Sequence, residues 1–288
     1  MSDLKAVQAR YATREFQVQR FGADAQSEVD AVATEEPLEI RLGYSDDDGQ
    51  RTEASISITM RTPGADEELA IGFLFGEGII TSREDVDLVR PCGPPAANGL
   101  INVVRVELAE KVRPDVDRLE RHFYTTSSCG VCGKASLDAV AVHGRYTIAE
   151  SKFRIDANTL GHLPEALLSR QSVFGKTGGI HAAGLFDASG NIEEVREDVG
   201  RHNALDKLIG SALRNEQVPL LDRGILVSGR ASFELLQKAM VAGCPMLAAV
   251  GAPSSLAVEL AAEFDLTLLG FLRPDRFNAY TNSHRILP

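Results

Sequence analysis

Apolar positions in the first 120 residues fall in short runs, not long helical stripes. Residues 37–42 and 54–60 alternate in part between apolar and polar, and Asp46-Asp47-Asp48-Gly49 supplies turn residues between them. That pattern predicts a hairpin. A helix is expected after Thr62-Pro63-Gly64-Ala65-Asp66. Leu69, Ile71, Phe73 and Leu74 give it an apolar face, Asp66, Glu67 and Glu68 sit at its positive end, and Gly76 and Gly78 stop it. Residues 91–99 hold three prolines and two glycines and read as a loop. Residues 101–108 alternate as a strand. Residues 1–33 are weakly periodic and read as a mobile leader or an added edge strand.

The texture changes near Tyr124, where helical and strand-like segments begin to alternate. Helices are expected over 135–142, 160–168, 203–213, 233–241 and 256–264. Strands are expected over 180–186, 192–196, 225–227, 246–250 and 267–272. Such alternation predicts a layered α/β domain with helices covering a sheet. The expected division is a leader or edge extension at 1–33, a small α+β domain at 34–123, and the layered α/β domain at 124–288.

Composition narrows the function. The chain has 288 residues, 44 % of them hydrophobic, which suffices for a substantial core. Its formal net charge of -11 argues against nonspecific nucleic-acid binding, although a local basic pocket remains open to it. The first 20 residues are polar throughout, so no signal peptide is expected, and no apolar run approaches the ~18 residues of a spanning helix. These features fit the cytoplasm. Cys92 and Cys244 read as isolated thiols, the latter in the core.

The chemistry concentrates in a few blocks. Cys129-Gly130-Val131-Cys132 places two of the four cysteines one short turn apart among small residues. Only a thiolate is nucleophilic, and a helix start together with Lys134 would favour one. The spacing suits redox exchange, metal ligation or sulfur relay. Zinc would need further ligands, such as Cys92, Cys244, His122 or His181, which no local spacing supplies. A thioredoxin-like dithiol is also possible, but Thr125-Thr126-Ser127-Ser128 replaces the familiar aromatic run. Gly178 and Gly179 precede His181, where backbone N–H groups could cradle phosphate; Lys176 precedes the glycines, so this is no P-loop. The bland alternatives are a simple turn and a core histidine.

Residues 197–207 are denser in polar function. Asp198 and Asn203 suit a helix start, Arg201 suits a bidentate anion contact, and His202 can carry a proton near neutral pH. A local salt-bridge and cap network would use the same residues. Ser228-Gly229-Arg230 follows a strand and precedes a helix, where open α/β sheets tend to bind anions. Gly251-Ala252-Pro253-Ser254-Ser255 repeats that arrangement without charge. The segment from Gly270 to Tyr280, with Arg273, Arg276, Phe277 and Asn278, could stack on a base and hold phosphate, or form a closing strand with solvated arginines.

In their joint order these blocks resemble the FdhD family of formate dehydrogenase accessory sulfurtransferases. Thr62-Pro63-Gly64 with Glu67-Glu68-Leu69-Ala70-Ile71-Gly72-Phe73-Leu74, the Ser128–Gly133 loop, Thr177-Gly178-Gly179-Ile180-His181-Ala182, the 197–207 block, Ser228-Gly229-Arg230 and Arg276-Phe277-Asn278 carry the likeness. It implies sulfur relay from a cysteine desulfurase, through Cys129 or Cys132, to a molybdenum (or tungsten) bis-pyranopterin guanine dinucleotide destined for the catalytic subunit of formate dehydrogenase. It implies that Gly178, Gly179, His181, Asp198, Arg201, His202, Asn203, Ser228, Gly229, Arg230, Arg276, Phe277 and Asn278 bind that substrate, with GDP as a surrogate. It further implies a homodimer, no nucleic-acid partner, no membrane insertion and a cytidine-deaminase-like fold. Deaminase chemistry itself is not expected: His181 is followed by Ala182 and Ala183 where a His-x-Glu element would be needed, so catalytic zinc is not expected either. A zinc-binding structural module and a dithiol oxidoreductase are the competing readings.

Overall fold

The computed structural model describes residues 11–22, 25–46, 48–114 and 146–288. Cys129, Cys132, the helix expected over 135–142 and the domain boundary expected at 123–124 lie outside the described residues. In the segment expected as a leader or edge strand, β1 (Thr13–Arg20) and β2 (Gln26–Ala33) form an antiparallel hairpin. The two strands pair with each other and join neither larger sheet.

The next hairpin is as expected. β3 (Glu36–Ser45) and β4 (Arg51–Arg61) pair antiparallel, and β5 (Val86–Pro91) and β6 (Val103–Leu108) complete a sheet of order β4-β3-β6-β5. Leu38, Ile40, Leu42, Val104 and Val106 are buried. Arg41, Glu39, Glu53, Arg105 and Glu107 form a lattice of ion pairs on the same sheet. Between β4 and β5 runs α1 (Asp66–Gly76), whose first turn holds Asp66, Glu67 and Glu68. The fully buried Arg61 guanidinium grips Asp66 with two hydrogen bonds of 3.0 and 2.8 Å, fixing the chain between β4 and α1.

The second half builds a larger sheet. In chain order come β7 (Ile155–Asp156), α2 (Ala157–Ser169), α3 (Phe174–Thr177), β8 (His181–Phe186), β9 (Ile192–Asp198), α4 (Arg201–Arg214), β10 (Gly224–Val227), α5 (Phe233–Val241), β11 (Met246–Ala249), α6 (Ser255–Glu263), β12 (Thr267–Arg273), β13 (Arg276–Thr281) and β14 (Ile286–Leu287). The Asp156 carboxylate caps α2 by accepting the N–H groups of Asn158 and Thr159. The sheet order is β13-β12-β11-β10-β8-β9. β10, β11 and β12 run parallel, and β8, β9 and β13 are antiparallel to their neighbours.

Strand alternation sends side chains to two cores. Ala182, Phe186, Leu226, Met246 and Leu269 meet α2 through Leu160, Leu163 and Leu167. Leu185, Ile225, Leu247 and Leu268 meet α4, α5 and α6 on the other face. That second cluster continues through α1 into the small sheet, reaching Leu38 and Val106. The link is close. A Cβ at Gly72 of α1 would overlap the Asp206 carbonyl of α4, and one at Gly210 of α4 would overlap the Glu68 carbonyl. The helices therefore touch backbone to backbone, and Lys238 of α5 is paired with Asp206 at 2.7 Å beside the crossing.

A candidate anion cleft at the strand ends

Strand direction gathers the chemical residues. The parallel strands β10, β11 and β12 end at one edge of the large sheet. The antiparallel strands β8 and β13 begin there, and β9 ends there. Register confirms the placement: His181 faces Asp198, Ala183 faces Val227, and Arg273 faces Arg276. Thus His181, Asp198, Ser228, Gly251, Arg273 and Arg276, distant in sequence, share one rim.

A cleft of about 520 Å³ opens at this rim between α2, α3 and the ends of β8, β10 and β11. Leu167, Phe174 and Val250 give it apolar walls, and Gly178, Gly179, His181 and Ser228 line its polar side. Gly178 terminates α3 with φ +64°, a conformation that suits glycine, and its N–H returns to the Phe174 carbonyl at 2.7 Å. Open space surrounds the missing Gly178 side chain. The Ser228 hydroxyl accepts the Ala182 N–H at 2.9 Å, and the Ser228 N–H donates to the Ala182 carbonyl at 2.9 Å, extending the ladder past β10. His181 is half-buried. Burial first, then the Arg201 and His202 charges, hold its imidazole below the usual histidine range. It is thus a neutral ring at neutral pH, able to donate from one nitrogen and accept at the other.

The 197–207 block does two jobs. Asp198 is fully buried and surrounded by donors: the Thr62 N–H at 3.1 Å, the Gly200 N–H at 2.8 Å, Asn203 Nδ2 at 3.1 Å and Lys207 Nζ at 2.6 Å. Asn203 Nδ2 also donates to the Met60 carbonyl at 2.8 Å, and Lys207 donates to the Thr62 carbonyl at 2.8 Å. These groups pin the end of β4 to the rim and shape the turn before α4. Arg201 and His202 lie outside that knot. Arg201 Nε is buried without a partner among the described residues. His202 Nε2 lies 3.2 Å from Ser232 Oγ and 3.7 Å from the exposed Glu234, whose carboxyl its hydrogen bond lowers to about 2.

Three further residues matter here: Glu197 and Phe271 lie in blocks that the sequence marks without giving them a role of their own, and Gln171 lies outside every marked block. The Glu197 carboxylate accepts the N–H groups of Val173 and Phe174, both at 2.9 Å, and so holds α3 at the mouth. Gln171 is almost wholly buried in the cleft wall, and its Nε2 has no partner among the described residues. Phe271 stands on the rim beyond Gly251, its N–H bonded to the Gly251 carbonyl at 3.0 Å. Arg230 is exposed nearby. Arg276, Phe277 and Asn278 sit farther along, on edge strand β13; Arg276 and Asn278 face solvent, and Phe277 packs partly against the α2-side core. Gln171 Nε2 in the cleft wall and Arg201 Nε at the start of α4 are thus buried donors without a partner among the described residues. Among the described residues no cluster of three or more His, Cys, Asp or Glu is arranged to hold a metal ion, and no helix is long and apolar enough to cross a membrane.

The FdhD/NarQ family matches residues 33–287. The chain belongs to that family. The match to FdhD/NarQ spans the Cys-x-x-Cys pair and every block at the rim. Among curated relatives, the sulfur carrier protein FdhD of Mycolicibacterium paratuberculosis is 54 % identical over 261 residues, covering 89 % of this chain and 92 % of that protein. The FdhD of Streptomyces coelicolor is 52 % identical, with 89 % of each chain covered. That of Mycobacterium tuberculosis is 48 % identical over 283 residues, covering 96 % of this chain and 99 % of its own. The crystal structure of a candidate formate dehydrogenase accessory protein from Desulfotalea psychrophila superposes with a TM-score of 0.71 at 23 % identity, covering 96 % of this chain and all of that one. At that identity the likeness concerns the fold.

Proposed function

We propose that this protein is a sulfurtransferase that carries sulfur for the maturation of formate dehydrogenase. The observation that carries this reading is the FdhD/NarQ match across 33–287, which includes Cys129 and Cys132. A thiolate of that pair accepts sulfane sulfur from the persulfide of a cysteine desulfurase and hands it on to a molybdenum (or tungsten) bis-pyranopterin guanine dinucleotide held at the strand-end rim. That substrate is strongly anionic. The rim answers with Arg201, Arg230 and Arg276, with the bare backbone at Gly178 and Gly179 that lets a ligand come close, and with a neutral His181. Asp198 and Asn203 act one step back, holding the turn that presents Arg201 and His202. Local positive charge reconciles such a ligand with an overall charge of -11.

The remaining parts of the reading come from family membership. The layered sheet with helices on both faces supports a cytidine-deaminase-like architecture for 124–288, with 34–123 as the smaller α+β unit. A homodimer, a cytoplasmic location and delivery to the catalytic subunit of formate dehydrogenase complete it.

The test is direct. Incubation with an active cysteine desulfurase and cysteine should add the mass of one sulfur atom, removable by dithiothreitol and absent when both Cys129 and Cys132 are replaced by Ala. No labile sulfur under those conditions would refute the relay. Zinc retained in stoichiometric amount through the two thiols, or a stable Cys129–Cys132 disulfide of redox-active potential, would favour the structural-module or oxidoreductase reading instead.

A further inference from the structure

Residues 171–180 form an arm at the mouth of the cleft. Gln171 and Ile180 at its two ends are buried, and no residue between them is. The arm contains α3, a helix of four residues whose hydrogen bonds close on the arm itself. The Gly175 N–H donates to the Gln171 carbonyl at 3.0 Å, the Thr177 hydroxyl to the Val173 carbonyl at 3.0 Å, and the Gly178 N–H to the Phe174 carbonyl at 2.7 Å. A helix that short does not hold itself in place, and this one has no buried residue to anchor it to the core.

One side chain ties the arm to the large sheet. Glu197 Oε1 accepts the Phe174 N–H and Oε2 accepts the Val173 N–H, both at 2.9 Å, and the Ser172 hydroxyl donates to Oε2 at 3.4 Å. Among the described residues, no other hydrogen bond runs from 172–179 to any part of the chain outside 171–179. The strand β2 packs against α3, but its hairpin joins neither larger sheet, so the tie to the sheet is that of Glu197. Glu197 and Asp198 are consecutive on β9 and point to opposite faces. Asp198 holds the chain near Thr62, and Glu197 holds α3. Phe174, Gly178 and Gly179 line the cleft, while Glu197 stands behind them.

We propose that Glu197 is a positioning residue for the cleft: its carboxylate latches α3 to the sheet and so sets the wall made by Phe174 and the turn at Gly178 and Gly179, without touching the ligand. This inference rests on reading the cleft as a guanine-nucleotide site. A ligand that needs the arm in place binds in proportion to the fraction of molecules in which the arm is latched. Each hydrogen bond to an ionised carboxylate changes that fraction by about tenfold or more.

The experiment measures GDP binding by calorimetry and amide hydrogen exchange residue by residue, in wild type, Glu197→Gln and Glu197→Ala. In wild type the Val173 and Phe174 amides should be protected. Glu197→Ala should strip protection from 172–179, leave β8 and β10 as they are, and weaken GDP binding about tenfold or more. Glu197→Gln keeps one acceptor oxygen and should fall between the two. Both variants should still take up sulfur from a cysteine desulfurase as wild type does, which separates a loosened wall from a damaged fold. Wild-type affinity for GDP in Glu197→Ala would overturn the inference, as would tighter binding because the freed N–H groups hold phosphate themselves. Protection lost across the whole sheet, together with sulfur uptake, would reduce Glu197 to a structural residue and overturn it too. Failure of the wild type to bind GDP, with the Val173 and Phe174 amides protected, would instead overturn the reading of the cleft, and with it the role given to Glu197.

Discussion

Individual side chains at the rim differ sharply in what they can tolerate. Asp198 and Lys207 form a buried pair, each with further hydrogen bonds to the chain near Thr62. Replacing Asp198 by Ala leaves a buried ammonium without its anion. The expected cost is about 3–5 kcal/mol, read by chemical denaturation, with loss of GDP binding as the turn before α4 loosens. His181 gives a pH signature. Its folded pKa lies below the unfolded value of 6.5, so the stability it contributes is full above about 6.5 and is lost as pH falls toward the folded value. Its ring proton should titrate by NMR with a midpoint below 6.5, and His181→Gln should flatten that part of the melting-temperature profile. Cys244 is the opposite of a relay thiol: burial pushes it up to about 12. Iodoacetamide should leave it unlabelled in the folded protein and modify it only after denaturation.

Among the elements, α1 and α4 make the most demanding contact. Gly72→Ala sets a methyl group into the Asp206 carbonyl, which belongs to a helix backbone and cannot step aside. The expected destabilisation is about 3 kcal/mol or more. Gly175→Ala, in a site with nothing within 4 Å, should stay within about 0.5 kcal/mol of wild type. Denaturant curves of the two variants check the contrast. Legibility in the sequence also varies element by element. Leu205, Leu208, Ile209 and Leu213 repeat at helical spacing, so α4 was legible, as were β8, β10, β11 and β12, which are nearly continuous apolar runs. β5 was not, because Asp87 and Arg90 break the apolar pattern of a strand at a sheet edge. For the same reason β13, with Arg276 and Asn278, stayed open between a strand and a ligand contact. The rim blocks stood out as dense in Gly, Arg and His. Their division of labour did not, since a polar residue facing a ligand and one facing another polar residue look alike in a string. Leu167 and Gln171 shape the cleft, yet in the string one is an ordinary apolar position of α2 and the other an ordinary polar residue just past its end.

At the scale of the molecule, one buried cluster runs from the small sheet through α1 and α4 to the large sheet. The described regions should therefore unfold together, giving a single calorimetric transition; two resolved transitions would show that the sheets are energetically separate. The partition expected at 123–124 lies outside the described residues, and the packing joins the small sheet to the large one. The hairpin of β1 and β2 stands apart from both sheets, with Phe21 78 % exposed.

The contact between Gly72 and Gly210 also bears on where the proposed ligand would enter. Where those glycines meet, the helices sit spine against spine with no side chain between them to act as a bearing, which opposes any rocking of the two sheets like jaws. On the proposed reading, a bulky ligand therefore enters along the open lip of the larger sheet, beside a seam that this helix pair keeps shut.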